Sequence, residues 1–266
     1  VTPHAGPLGV LRVLTRGAVD TEFGVELPPY DFDLEADLVL NRTRDLDDRK
    51  KAEIEFFDDK IGLNTALGGA IAAAHGPALT HERLALLSVG SNAVEYDSVV
   101  VSWNEKVKHS SVRPTTVVHS GPRSAETVAT FAGPSQGVKN ITRRDWQPYI
   151  RTMPHSEFPS ATACICISLL DYVEDAVAFL FNATSPLQVA INVAAGSSFI
   201  EPGLTPASDL LLFYPELRTL RFACGQSRLE GGMHFTAAVA AGYDLCDGIG
   251  AEGVSFIKLL AGSEVP

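Results

Sequence analysis

SATACICISLLDYVEDAVAFLF, running from Ser160 to Phe181, is the stretch whose reading decides the fold. Ser160 is a good N-cap, its hydroxyl placed to accept a hydrogen bond from an orphan amide of the first turn. It predicts a helix of about twenty residues behind it. Asp171, Glu174 and Asp175 break the apolar run, so it falls short of the ~20 apolar residues a membrane helix requires and reads as a buried helix of a globular protein. Upstream, Thr80 caps a long helix whose apolar positions Leu84, Leu87, Ala93, Val94, Tyr96 and Val100 continue to about Lys106. Earlier still, Asp45-Leu46-Asp47-Asp48 opens an acidic first turn, with Ile54, Phe57 and Ile61 at helical spacing on one face. An Ala-rich helix follows from about Leu63 to His75 and stops at Gly76-Pro77.

Downstream, Leu187 to Val193 fits a strand or an apolar helix turn. Thr205-Pro206 has the N-cap and N1-proline pattern of another helix. Leu217 to Gln226, His234 to Asp247 and Val254 to Leu260 predict further helices. Residues 107–145 read mostly as loop, because Arg113-Pro114, Gly121-Pro122 and Gly133-Pro134 each stop regular structure. Residues 1–44 have no helical period; Gly6-Pro7, Pro28-Pro29 and the acidic run Asp31 to Asp37 mark an extended N-terminal arm or short strands. The expectation is an all-α fold, with an extended arm over residues 1–44 and a helical domain over residues 45–266.

The chain has 266 residues and 28.4 kDa, 45% hydrophobic and 20% charged, enough to bury a real core and unlike a coiled coil, a collagen repeat or a disordered protein. Its 21 basic and 32 acidic residues give a net charge of −11 and a pI near 5.0. That balance argues against nucleic acid or an anionic membrane surface as partner, and makes any cluster of Arg and Lys conspicuous. The start at Val1, without Met or a signal-like segment, is expected of a chain processed, trimmed or cut from something longer. Three glycosylation sequons, beginning at Asn41, Asn140 and Asn182, tilt slightly toward a secreted or extracellular protein. Cys164 and Cys166 lie two apart on one helix and point in different directions, so they do not bridge each other or jointly clasp a metal. A bridge to Cys224 or Cys246 is open to them, but the expectation is four small core hydrophobes.

Three spaced fragments carry chemistry. Lys106 is followed seven positions on by Arg113-Pro114; Phe158-Pro159-Ser160-Ala161-Thr162 stands at a helix start; and Ser227-Arg228 precedes His234. Together they supply three cations, a hydroxyl, backbone N–H groups at a helix N-terminus and one imidazole. A tetrahedral oxyanion needs this set: charge neutralisation, dipole-aligned donors and a nitrogen that can attack or coordinate its centre. Taken singly, each fragment has a plainer reading, as a solvated face, a cap or a structural histidine. Together they predict that Lys106, Arg113, Ser160, Arg228 and His234 converge on one pocket.

In this order the fragments resemble the vanadium-dependent haloperoxidase and type 2 phosphatidic acid phosphatase superfamily, whose pattern is Lys-x6-Arg-Pro, then Pro-Ser-Gly-His, then Ser-Arg-x5-His. The flanks Pro154 to Ser160 and Gly231 to Phe235 are similar as well, and the likeness covers roughly residues 45–250. The resemblance implies an all-α bundle in which Lys106, Arg113 and Arg228 bind the equatorial oxygens of vanadate or phosphate. It implies hydrogen bonds from Ser160 and the Ala161 N–H, with His234 as the axial vanadium ligand or, in a phosphatase, the phosphoryl-accepting nucleophile. It also implies hydrogen peroxide and halide as co-substrates of an active enzyme, and association as a homo-oligomer or with another chain.

Two departures bear on activity. Where the family has Gly-His, this chain has Ala161-Thr162, and threonine cannot titrate near neutral pH to replace the family's acid–base histidine. The Asp that phosphatases often carry four residues after the final His is Ala238. The competing functions are therefore a haloperoxidase-like protein with weak or altered halide oxidation, a catalytically inactive relative in a structural or binding role in an extracellular assembly, and an acid phosphatase. His155 is expected in a loop or capping role, and Trp103 and Trp146 in the core; His75, His81, His109 and His119 share no metal-ligand spacing.

Overall fold

The computed structural model describes residues 24–262, together with the backbone of two short paired strands, β1 (Arg12–Val13) and β2 (Gly17–Ala18). Gly6-Pro7, at the start of the expected arm, lies outside the described residues. The helices are α1 (Phe32–Arg44), α2 (Asp48–Asp58), α3 (Lys60–His75), α4 (His81–His109) and α5 (Pro114–Ser120). The hairpin β3 (Thr127–Phe131) and β4 (Val138–Thr142) leads to α6 (Ala161–Phe181). A second hairpin, β5 (Val189–Val193) and β6 (Leu210–Tyr214), precedes α7 (Leu217–Glu230), α8 (Thr236–Cys246) and α9 (Ile249–Leu260). The fold is all-α, with short antiparallel hairpins at its margin.

Helix α6 is the axis of the bundle. Ser160 caps it, its Oγ accepting the Ala163 N–H at 3.4 Å. Its buried residues, among them Cys164, Leu169, Leu170, Tyr172, Val173, Ala176 and Leu180, surround the helix and meet α4, α7, α8 and α9. Close approach is bought with glycine. A Cβ on Gly90 of α4 would lie 2.1 Å from the Tyr172 hydroxyl, which donates to the Leu86 carbonyl at 3.0 Å. A Cβ on Gly242 of α8 would lie 2.4 Å from the Ser160 carbonyl, so α8 can back directly onto the start of α6.

Three segments differ from expectation. Residues 32–44, expected in the extended arm, form α1. Asp31 accepts the Leu34 N–H at 3.1 Å, and Ala36, Val39, Leu40 and Thr43 are buried at helical spacing. The acidic run is the helix's capped, dipole-matched first turn. Thr205-Pro206 does not open a helix: the Thr205 hydroxyl donates to Glu201 Oε2 at 2.7 Å and is not available as a cap. The residues beyond alternate, with Leu212 and Tyr214 buried and Leu211 and Phe213 exposed, which is the period of a strand. Residues 107–145, expected as loop, hold α5 and the first hairpin; Pro114 sits at N1 of α5, where its missing N–H costs nothing.

The cysteines are a further correction. They are not free core hydrophobes: Cys164 pairs with Cys246 and Cys166 with Cys224, at Cα separations of 5.1 and 6.5 Å. Both bonds start from α6, one reaching α8 and the other α7. Replacing Cys166 and Cys224 together by Ala should lower unfolding free energy by about 2–5 kcal/mol, the usual effect of losing a native cross-link. Denaturant melts of the double variant test this, and unchanged stability, or free thiols in the folded wild type, would contradict the pairing.

Candidate functional site

Four helix ends and one irregular segment meet around His234. Lys106 lies in the last turn of α4, and Arg113 is the N-cap residue of α5. Arg228 lies in the last turn of α7, and His234 stands two residues before α8. The fifth element is the segment from His155 to the α6 cap Ser160.

Lys106 is buried, and its Nζ donates to the Ser156 carbonyl at 2.7 Å and the Glu157 carbonyl at 3.2 Å. Burial, with Arg113 nearby, pulls its pKa down to about 7. The Arg113 guanidinium donates from Nε to the His155 carbonyl and from Nη1 to the Met233 carbonyl, both at 2.9 Å. Nη1 is also 3.3 Å from His234 Nε2, and Nη2 is 3.0 Å from His155 Nδ1. Burial lowers the pKa of Arg113 only to about 10, so it stays charged at neutral pH.

Arg228 donates from Nη2 to Asp58 Oδ1 at 3.1 Å and to the Met233 sulfur at 2.9 Å. Its Nε and Nη1 are buried and have no partner among the described residues. Orphaned guanidinium donors in a protein interior are costly and point to a missing acceptor. His234 is buried, with Nδ1 3.1 Å from Glu157 Oε1. Burial, then Arg113, Lys106 and Arg228, hold its pKa well below the ordinary imidazole value, so the ring is neutral at pH 7. Glu157 is fully buried, and burial pushes its pKa up to about 7.

The structure thus brings Arg113 and His234 into contact and joins Arg228 to them through Met233. Lys106 lies one residue layer away, on the backbone of Ser156 and Glu157. Ser160 is buried and its hydrogen bonds run to Ala163 and Ala238 rather than to the cations. Ala161 and Thr162 are half-buried in the first turn of α6, where the leading N–H groups have no partner inside the helix. Among the described residues the Thr162 side chain makes no hydrogen bond. Asn41, Asn140 and Asn182 are exposed.

His155 lies in a loop, as expected, and is also part of the site: beyond its contact with Arg113, its ring centroid is 4.6 Å from that of Trp103. Burial, Arg113 and Lys106 pull its pKa down to about 4. Trp103, expected in the core, is instead 40% exposed. With Lys106, His155, Ser111 and Ser156 it lines a cavity of about 350 Å³. Trp146 is fully buried, its Nε1 donating to Thr43 Oγ1 at 3.1 Å.

Glu157, Asp58 and Met233 are the participants that motif spacing did not single out. Glu157 lies inside the quoted approach to Ser160, and the need of a buried imidazole for a partner is the signal that could have found it. Asp58 carries no such signal, because its role comes from packing the end of α2 against α7.

Residues 86–262 match the family model described as the VCPO second helical-bundle domain. No relative among the curated proteins matches the chain. Among solved structures, the holo form of a bacterial vanadium-dependent chloroperoxidase superposes with a TM-score of 0.78 at 21% identity, over 88% of this chain and 51% of that one. Its apo form gives 0.78 at 21% identity, over 90% of this chain and 53% of that one. A bacterial vanadium-dependent iodoperoxidase gives 0.62 at 15% identity, over 94% and 58%. At these identities the likeness is one of fold, and the chain spans about half the length of the structures it resembles.

The lowered Lys106 pKa sets the sign of a pH effect. Above about 7 the free protein holds Lys106 neutral, and an arriving anion favours its charged form. Phosphate or vanadate binding at pH 8 should therefore take up a proton and weaken as pH rises further. Calorimetry in buffers of different ionisation enthalpy measures this, and proton release or no linkage at pH 8 would contradict the assignment.

Proposed function

The chain belongs to the family of the VCPO second helical-bundle domain, and on that premise we propose that it is a vanadate-binding, haloperoxidase-like protein with weak or altered halide oxidation. The observation that carries the reading is Arg228. It is buried, it keeps two donors without acceptors among the described residues, and it shares Met233 with Arg113, whose guanidinium touches His234. Such a donor set fits an oxyanion. Lys106, Arg113, Arg228, Ser160 and the Ala161 N–H would hold its oxygens, and His234 Nε2 its central atom. Bound vanadate would supply a Lewis-acid centre that activates hydrogen peroxide toward halide.

The chain's own residues do the rest. The buried cations neutralise the anion in a medium where each charge counts for more than in water. Carbonyls of His155 and Met233 hold Arg113 in place without cancelling its charge, and those of Ser156 and Glu157 hold Lys106, which an arriving anion would recharge. Trp103 and His155 border the neighbouring cavity, through which small substrates would approach. Thr162 stands where the family carries its acid–base histidine, and its hydroxyl does not titrate near neutral pH. The chain would bind vanadate well and turn over slowly. The two disulfides and the exposed sequon asparagines support an oxidising, extracellular setting.

Thr162→His should raise bromination of a phenol-type dye in vanadate and peroxide while changing vanadate affinity far less. Full recovery of a general acid–base group would be worth 10² to 10⁴ in rate, or about 3–5 kcal/mol. Equal rates in wild type and variant would contradict the role given to Thr162. A wild type that binds no vanadate would contradict the proposal itself.

A further inference from the structure

We propose that Glu157 is a positioning residue of this site, holding the His234 ring in the tautomer whose bare Nε2 faces the cations. The inference deepens the reading of His234 as the group that meets the central atom of a bound oxyanion, and rests on it. The geometry fixes the direction of each hydrogen bond. A guanidinium only donates. Arg113 Nη1 lies 3.3 Å from His234 Nε2, so Nε2 offers the lone pair and the ring hydrogen sits on Nδ1. That hydrogen points at Glu157 Oε1, 3.1 Å away.

Glu157 is built to stay there. Its carboxylate is fully buried, and Oε1 also receives the Phe235 N–H at 2.9 Å, so the acid grips the residue next to His234 as well. Oε2 faces the Tyr30 hydroxyl at 3.4 Å. The Glu157 backbone is fixed at both ends: its N–H donates to the Ser111 carbonyl at 3.1 Å, and its carbonyl accepts from Lys106 Nζ at 3.2 Å. One residue thus ties the orientation of the imidazole to the placement of a cation. Helix α8 supplies no carboxylate in its place, since Ala238 is a fully buried methyl whose carbonyl accepts the Ser160 N–H at 2.8 Å.

Tyr30 extends the arrangement outward. It lies just before α1, in a segment also fixed at Val25, whose N–H donates to Glu105 Oε2 at 3.3 Å and whose carbonyl lies 2.8 Å from His109 Nε2. The segment is pinned to α4 at one end and rests on Glu157 at the other. A carboxylate behind a ligating imidazole fixes ring orientation and raises its basicity, and removing such a partner weakens metal affinity by about 10–100-fold.

The test is nitrogen-15 NMR of histidine-labelled, ligand-free protein, with vanadate titration alongside. In wild type, His234 should show Nδ1 protonated and Nε2 bare. Glu157→Leu removes the acceptor; it should let the Nε2-protonated tautomer of His234 populate and weaken vanadate binding about 10–100-fold, with the circular dichroism spectrum unchanged, whereas Glu157→Gln, whose side-chain oxygen can still accept from Nδ1 and the Phe235 N–H, should keep the wild-type tautomer. An Nε2-protonated wild-type ring overturns the proposal and needs no variant to fold. A folded Glu157→Leu protein with the wild-type tautomer and affinity overturns it equally. Failure of wild type to bind vanadate, with the tautomer as stated, would count against the proposed function and leave the positioning role standing.

Discussion

Desolvation of three basic side chains near one neutral imidazole, Arg113 and Arg228 as guanidinium cations and Lys106 at the edge of losing its proton, is the constraint on which this structure depends. Among the described residues, Lys106 and Arg113 form no direct ion pair and are held chiefly by carbonyl oxygens, while Arg228 has a single carboxylate, Asp58. Carbonyl dipoles stabilise a cation without neutralising it, so the cluster keeps a positive field inside a chain of net charge −11. His234 stays neutral in that field, and Glu157 is the carboxylate beside it. The fold leaves a deficit that one oxyanion would offset.

The scaffold meets this demand by converging helix ends. Lys106 and Arg228 come from last turns, where the carbonyl-rich end of a helix favours positive charge. Ser160 and the amides behind it come from a first turn, where the polarity is reversed. Helix α6 holds these ends in register through its contacts with α4, α7 and α8, and the two disulfides fasten it to the elements that deliver Arg228 and His234. Gly242 lets α8 reach the α6 cap without a clash.

The long helices were legible in the sequence because caps and apolar spacing agree there: Thr80 opens α4 and Ser160 opens α6. α1 was not, because an acidic run after two prolines looks like a breaker until Asp31 is seen as a cap. Thr205-Pro206 misled for the converse reason, a capping pattern whose hydroxyl is taken by Glu201. Within the site, motif spacing identified the cations and the imidazole. It could not identify Asp58, which reaches Arg228 from α2, or show that Trp103 and His155 meet in a tilted ring contact beside a cavity. The disulfides were equally hidden, since pairing depends on which helices lie beside α6 and not on cysteine spacing.

We propose that the cation cluster is completed by an oxyanion bonded at His234. A crystal structure of the protein grown with orthovanadate tests it most directly. Tetrahedral or trigonal density joined to His234 Nε2 is expected, with Arg228 Nε and Nη1 turned onto its oxygens and Arg113 released from the imidazole. Arg228 donors satisfied by a protein carboxylate, with no anion between Arg113, Arg228 and His234 at saturating vanadate, would contradict it.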